Sequence, residues 1–388
     1  MSNPLDWIDA ESAEWSARGL TRTLKPVSAD PTGKMARDGR SLINFASNDY
    51  LGLAQDPRVI AAAIAASHEI GWGAGASALV TGWSQYHEQL SRDLAQFEKV
   101  EAATLFPTGY AANVGTITAL VGKPDAIYSD RLNHACLIDG ARLSSASIRV
   151  YEHANASSLE EMLKSDQGKY RRSLIITDGV FSMDGDLAPL RQLVDLAENY
   201  QAMLLVDEAH GTGVFGPDGR GAASECSVAE RITIRVGTLS KALGSVGGFV
   251  AGPAKLIDWL INHARPLIFS TASPAAAAAA ASAALKIVQN EPERRVHLKA
   301  LGDRVRTALG DQGYTIVPSI GPIVPVVIGD SHQAVAFSSK LADAGFLIPA
   351  IRPPTVPEGS ARLRICLSAR HTDVHVDRLI LAFSKARS

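Results

Sequence analysis

Short apolar runs alternating with helical segments predict an α/β fold: a large domain whose central sheet is mostly parallel and flanked by helices, then a smaller α+β C-terminal domain. Three observations carry this expectation. SLIITD at 173 and AMLLVD at 202 are apolar almost throughout, as strands covered on both faces require. Runs of this kind recur between helix-like segments from about residue 58 to 240. Beyond residue 290 the alternation gives way to a different pattern.

Taken in order, the first 22 residues place Leu5, Ile8 and Trp15 at helical spacing, which predicts an N-terminal helix lying on the body. SLINFASNDYLGL, 41–53, reads as a short strand and turn. Helices are expected at 57–68, 84–97, 109–121, 133–145, 156–164 and 189–200. Between them lie the strand-like runs AATLF at 102, AIYS at 126, SIRVY at 147, SLIITD, AMLLVD and ITIRVG at 232. From Pro266 to Leu285 there is no charge, about the length of a membrane span. Two prolines and seven consecutive alanines from Ala275 fit a buried or interfacial helix better, because alanine drives little insertion. A charged helix near 291–309, TIVPSIGPIVPVVIG, a helix at 332–344, RLRICLS and a last helix complete the chain. The division expected is a helix-and-strand segment at 1–50, the large domain at 51–290 and the small domain at 291–388.

Composition narrows the function classes. Lys plus Arg is 38 and Asp plus Glu is 40, with no run of like charge, which argues against a nucleic-acid partner. Cys136, Cys226 and Cys366 are far apart without a CxxC pair; neither a disulfide framework nor a metal site is expected, and a reducing cytoplasm fits. The acidic start, MSNPLDWIDAESAEW, lacks the basic n-region of a signal peptide.

LLVDEAHGTG, 204–213, spells the acidic box of a class of nucleic-acid helicases. Such an ATPase needs GxxxxGK[ST], yet the Gly-Lys pairs at 33, 122 and 168 are followed by Met, Pro and Tyr. Pyridoxal 5′-phosphate (PLP) chemistry makes another demand, which is met. It needs a lysine for the Schiff base and a carboxylate against the pyridinium nitrogen, and GTLSKALGSVGG places Lys241 in a small glycine-flanked loop downstream of Asp207. Both would stand at the C-terminal edge of one sheet, where open α/β folds bind ligands. Thr108-Gly109-Tyr110 sits between a strand-like run and a helix, where free N–H groups would receive a phosphate. His134 is a candidate to stack on the ring; a structural histidine is the alternative reading.

The stretches NFASNDYLGL, GASALVTGWSQYHEQL, DRLNHACLIDG, TDGVFSMDGDLAPL, VDEAHGTGVFGPDGRG, GTLSKALGSVGGF and AIRPPTVPEGSARLRICLSA resemble the α-oxoamine synthase family of fold-type I PLP-dependent enzymes over nearly the whole chain. The resemblance implies that Lys241 holds PLP and acts as the Cα base, Asp207 pairs with the ring nitrogen, and His134 stacks on the ring. His210 and Ser182 would bond the ring oxygen. Thr108, Gly109, Tyr110 and Thr238 would lie at the phosphate end, with Ser270 and Thr271 reaching it from a second subunit. Arg352 would grip the amino acid carboxylate with Asn48 and Thr355 nearby, and Arg22 the acyl substrate's distal carboxylate. AIRPPTVP followed by ARLR is most like the branch of biotin biosynthesis that condenses L-alanine with a pimeloyl thioester, pimeloyl-CoA or pimeloyl-acyl carrier protein, losing CO2. A branch using glycine and a short acyl-CoA is the alternative. A homodimer with active sites at the subunit interface is expected on the same ground. Thr108 and Tyr110 depart from the Ser and Phe common in relatives, while keeping a hydroxyl and an aromatic body.

Overall fold

Seven strands form the central sheet in the computed structural model, which describes residues 3–18, 20–29 and 34–387. In chain order they are β1 (Ala102–Phe106), β2 (Ala126–Asp130), β3 (Ser147–Tyr151), β4 (Ser173–Asp178), β5 (Met203–Asp207), β6 (Ile234–Thr238) and β7 (Gly248–Gly252). Their spatial order is β1-β7-β6-β5-β4-β2-β3; β7 is antiparallel to both neighbours and the other six run one way. All six strand-like runs of the sequence become strands. β7 escapes sequence reading because GGFVAG has no alternation and two leading glycines. The second of them is sterically required: a Cβ at Gly248 would fall 2.6 Å from the Gly109 Cα. The parallel strands deliver Asp130, Asp178, Asp207 and Thr238 to one edge, with Asp178 opposite Asp207 in register.

The six expected helices form as Pro57–Ile70, Gln85–Glu98, Gly109–Leu120, Ala135–Ser144, Ala156–Ser165 and Leu190–Asn199. The alanine run becomes the helix Ala275–Asn290, buried along most of its length and packed on the Pro57–Ile70 and Gln85–Glu98 helices. Methyl side chains let helix backbones approach closely, so this surface is a packing device. No described helix is long and apolar enough to cross a membrane.

One expectation is corrected at the N-terminus. A helix forms at Trp7–Ala17, but it does not lie on the body: none of its residues is buried, and Leu5, Trp7, Ile8 and Trp15 stay exposed. Its apolar residues are spread around the helix instead of forming a stripe, so no face is available to bury.

Ile323–Gly329, Ala361–Cys366 and two short strands make an antiparallel C-terminal sheet with the helices Glu293–Asp311, Ser331–Asp343 and Asp373–Arg387. A further small sheet joins Arg40–Asn44 to Phe346–Leu347, so the start of the chain is stitched to its end. One apolar cluster contains Phe45 and Tyr50, Leu285 and Val288, and Ile323, Leu363 and Phe383. Each such side chain, fully buried, contributes about 1.5–3 kcal/mol. The turn after β4 links the sheets: Arg362 pairs with Asp184, and Arg364 Nε donates to the Ser182 carbonyl at 2.6 Å.

His153 braces the same turn from the other side. Its Nδ1 lies 3.0 Å from Asp130 and its Nε2 2.9 Å from Asp186, and these two carboxylates raise the imidazole to about 10. A folded-state value above the unfolded one means that the stabilisation is complete below about pH 6.5 and is lost as pH rises through about 10. His153→Gln is therefore expected to lower stability by roughly 1–3 kcal/mol at pH 6, with the gap closing above pH 10. Thermal unfolding of both proteins across that range checks it; a pH-independent gap contradicts the ion-pair account.

Candidate active site

β5 ends in Asp207, and burial makes its hydrogen bonds decisive. Oδ1 accepts the Ala209 N–H at 2.8 Å, and Oδ2 accepts from Asn113 Nδ2 at 2.7 Å, so the carboxylate is fixed at both oxygens. Next in the chain, Glu208 points away into the core. Its two oxygens accept the Ala222 and Ala223 N–H groups, each at 2.8 Å, and burial pushes its carboxyl up to about 8. The DEAH letters therefore divide between a carboxylate at the site and one holding a short helix.

The tight turn after Glu208 returns His210 to the strand edge. His210 Nε2 lies 2.8 Å from Lys241 Nζ, and its Nδ1 lies 2.6 Å from the Tyr50 hydroxyl. Burial, aided by the charges of Lys241 and Arg364, holds His210 well below the ordinary histidine value. Lys241 is likewise lowered by burial, against the opposing pull of Asp207 and Asp178. The pair is thus a neutral imidazole facing an amine of lowered basicity, an arrangement suited to accepting and returning a proton.

Behind them stands a supporting network. The Tyr50 hydroxyl is also 3.1 Å from Asn48 Oδ1, which accepts from Arg364 Nη1 at 3.2 Å. Asp178 accepts the His134 N–H at 2.7 Å, and burial plus the neighbouring Asp207 charge raises its carboxyl well above the usual range. His134 stands partly exposed at the same edge, and partial desolvation lowers its value. Cys136 lies 2.9 Å from His134 Nδ1, and its thiol is pushed far up by burial.

At the other end, Thr108 caps the helix Gly109–Leu120 by accepting the Ala111 N–H at 3.0 Å, leaving the first N–H groups of that helix outside the internal ladder. A Cβ on Gly109 would be 3.3 Å from Thr238, so this helix start is pressed against the end of β6. Thr238 Oγ1 is itself tied to the Lys241 loop, donating to the Gly247 carbonyl at 3.0 Å and accepting the Ser240 N–H at 3.2 Å. Tyr110 is half exposed, its hydroxyl donating to Asp139.

The structure therefore links Lys241, His210, Tyr50 and Asn48 by hydrogen bonds. Asp207 stands at the neighbouring strand end with Asp178, which holds His134, opposite it in register, and Thr108, Gly109 and Thr238 form a second cluster on adjoining strand ends. Ser182 joins through its carbonyl, which accepts from Arg364. Ser270 and Thr271 follow the exposed Phe269, where Thr271 bridges Ser77 beside the exposed Leu79 and Val80. Arg352 and Thr355 share the turn after Ala350–Ile351, the Thr355 N–H donating to the Arg352 carbonyl at 3.1 Å. Arg22 lies beside Trp7 and Trp15, apart from the Lys241 cluster. A mostly apolar cavity of about 340 Å³, lined by Phe215, Pro292 and Ile320 among others, shares no lining residue with that cluster.

Sequence reasoning missed Tyr50, Asn113, Asp178 and Arg364 as site residues. Asp178 had a usable signal, because it leaves an apolar strand just as Asp207 does. The donors present fit PLP: an amine of lowered basicity, a fixed carboxylate and a helix start held open by glycine.

The chain matches the aminotransferase class I and II family over residues 40–383. It is 48% identical over 371 residues to an 8-amino-7-oxononanoate synthase of Marinobacter nauticus, covering 95% of this chain and 93% of that protein. Among solved structures, SPT with a PLP internal aldimine superposes with a TM-score of 0.94 at 30% identity, covering 99% of this chain and 98% of that one. An 8-amino-7-oxononanoate synthase of Francisella tularensis gives 0.77 at 28% identity, over 89% and 97%. With its sheet order, its strand-edge cluster and these similarities in agreement, the chain belongs to the aminotransferase class I and II family.

Proposed function

We propose that this chain is a PLP-dependent acyltransferase of biotin biosynthesis that condenses L-alanine with a pimeloyl thioester to give 8-amino-7-oxononanoate, CO2 and free thiol. The observation that carries this reading is the partly buried Lys241 amine 2.8 Å from a neutral His210, near the Asp207 carboxylate held at both oxygens. The relatives named 8-amino-7-oxononanoate synthase support the choice of substrates.

When bound, PLP supplies a carbonyl that captures the amino group and a ring that accepts the electron pair released at Cα. The chain's own residues do the rest. Asp207 would hold the ring nitrogen protonated, and His210 and Ser182 would bond the ring oxygen. His134 would cover one ring face. Thr108, Gly109, Tyr110 and Thr238 would hold the phosphate at the helix start, with Ser270 and Thr271 of a second copy completing it. Lys241 Nζ takes the alanine Cα proton and later returns one to the same carbon. In between, a C–C bond forms from that carbon to the thioester carbonyl, the thiol leaves, and the alanine carboxylate departs as CO2. Arg352, with Asn48 and Thr355, would orient that carboxylate before it leaves; Arg22 would meet the distal carboxylate of the acyl chain. The exposed Leu79, Val80 and Phe269 beside Thr271 support a homodimer closing over the site. Three free cysteines are consistent with a cytoplasmic setting.

Thiol release by the PLP-loaded protein tests the reading. Alanine with pimeloyl-CoA or pimeloyl-acyl carrier protein is expected to exceed glycine with acetyl-CoA by at least about tenfold, since a pocket distinguishes one methyl group by roughly 1–3 kcal/mol. Preference for glycine and acetyl-CoA would move the chain to the sibling branch.

A further inference from the structure

We infer that Asn113 is a positioning residue that locks the Asp207 carboxylate and couples it to the phosphate-end turn; this rests on the PLP reading above. The side chain is 1% exposed and sits one helical turn after Gly109. Its Nδ2 donates to Asp207 Oδ2 at 2.7 Å and to the Gly109 carbonyl at 3.2 Å. Both partners are acceptors, so the amide has one orientation: reversing it would set its oxygen against two others. That orientation leaves Oδ1 buried without a hydrogen-bond partner among the described residues. A buried orphan acceptor is costly and uncommon, so the contact made by the other end of the amide is what retains it.

Geometry explains why that contact matters. A cofactor gripped at its phosphate by the Thr108–Tyr110 turn and at its ring nitrogen by Asp207 needs a fixed spacing between these two points. They belong to different elements, a helix start and the end of β5, separated by 94 positions between Asn113 and Asp207. Asn113 spans them with one rigid amide, while the Ala209 N–H fixes the second carboxylate oxygen. Rotation of the Asp207 carboxylate would break the Asn113 bond.

A double-mutant cycle read by PLP titration of the apo-protein separates positioning from general packing. Asn113→Ala is expected to weaken PLP binding about tenfold when Asp207 is present, and by less than about twofold in the Asp207→Asn background, where there is no carboxylate to orient. Thermal unfolding of each apo-protein runs alongside, and Asn113→Ser replaces Asn113→Ala if the latter does not fold. Equal losses in both backgrounds, or no loss with Asp207 present, overturn the inference while leaving the PLP reading intact. Failure of the unsubstituted chain to take up PLP overturns both.

Discussion

Lys241→Ala is expected to remove the visible absorbance that develops when PLP is added and to lower turnover by at least about 10³-fold, without unfolding the protein. The loss is large because one amine has two duties, covalent capture of the cofactor and proton transfer at Cα, and each is a substantial part of catalysis. Its surroundings serve these duties more than stability. The amine's side-chain hydrogen bond is to His210 Nε2, and burial holds its basicity down against the pull of Asp207 and Asp178. Burying an amine under such strain costs free energy, so its replacement by a methyl group should leave the unfolding temperature unchanged or slightly raised. His210, already neutral, loses a neighbour without gaining an unpaired charge. Absorbance, turnover and unfolding are measured on one preparation. Turnover within a few-fold of the unsubstituted protein would remove Lys241 from the mechanism.

That expectation was readable from the sequence because chemistry and local pattern coincide at Lys241 and Asp207. An aspartate leaving an apolar strand, and a lysine in a loop of glycines and small polar residues, are both short-range signals. Most of the sheet is legible for the same reason, since apolar runs report strands covered on both faces. What stays hidden depends on distant partners. Tyr50 acquires meaning only by meeting His210, 160 positions away, and Arg364 by reaching Asn48 across 316. No spacing rule encodes such contacts. β7 is hidden because its leading glycine answers to the backbone of Gly109 and not to any period of its own. The N-terminal helix shows the opposite failure: the helix itself forms as its sequence predicts, but its apolar residues do not gather on one face, and the three whose spacing pointed to a buried face stay exposed.

Asp207 and Glu208 allow the same chemical change, carboxylate to amide, to be made at adjacent positions with different expected consequences. In Asp207→Asn one carboxylate oxygen becomes an NH2 group, so the amide cannot accept from both the Ala209 N–H and Asn113, nor offer a negative charge to a pyridinium nitrogen. Loss of a fixed countercharge in a buried site is expected to lower kcat by roughly 10²–10⁴-fold, with stability changing far less. Glu208 also accepts two backbone N–H groups, but they belong to Ala222 and Ala223 and hold a short helix in the core. Burial raises this carboxyl to about 8, and in glutamine one of its two acceptors becomes an NH2 group facing a backbone N–H, a local loss inside the core and away from the ring. Glu208→Gln should therefore cost about 1–3 kcal/mol of stability and leave kcat within about threefold. Steady-state kinetics and thermal unfolding of the two variants decide the matter. Comparable losses of kcat would mean that the aspartate has no special place at the ring, and that the strand end acts only through its packing.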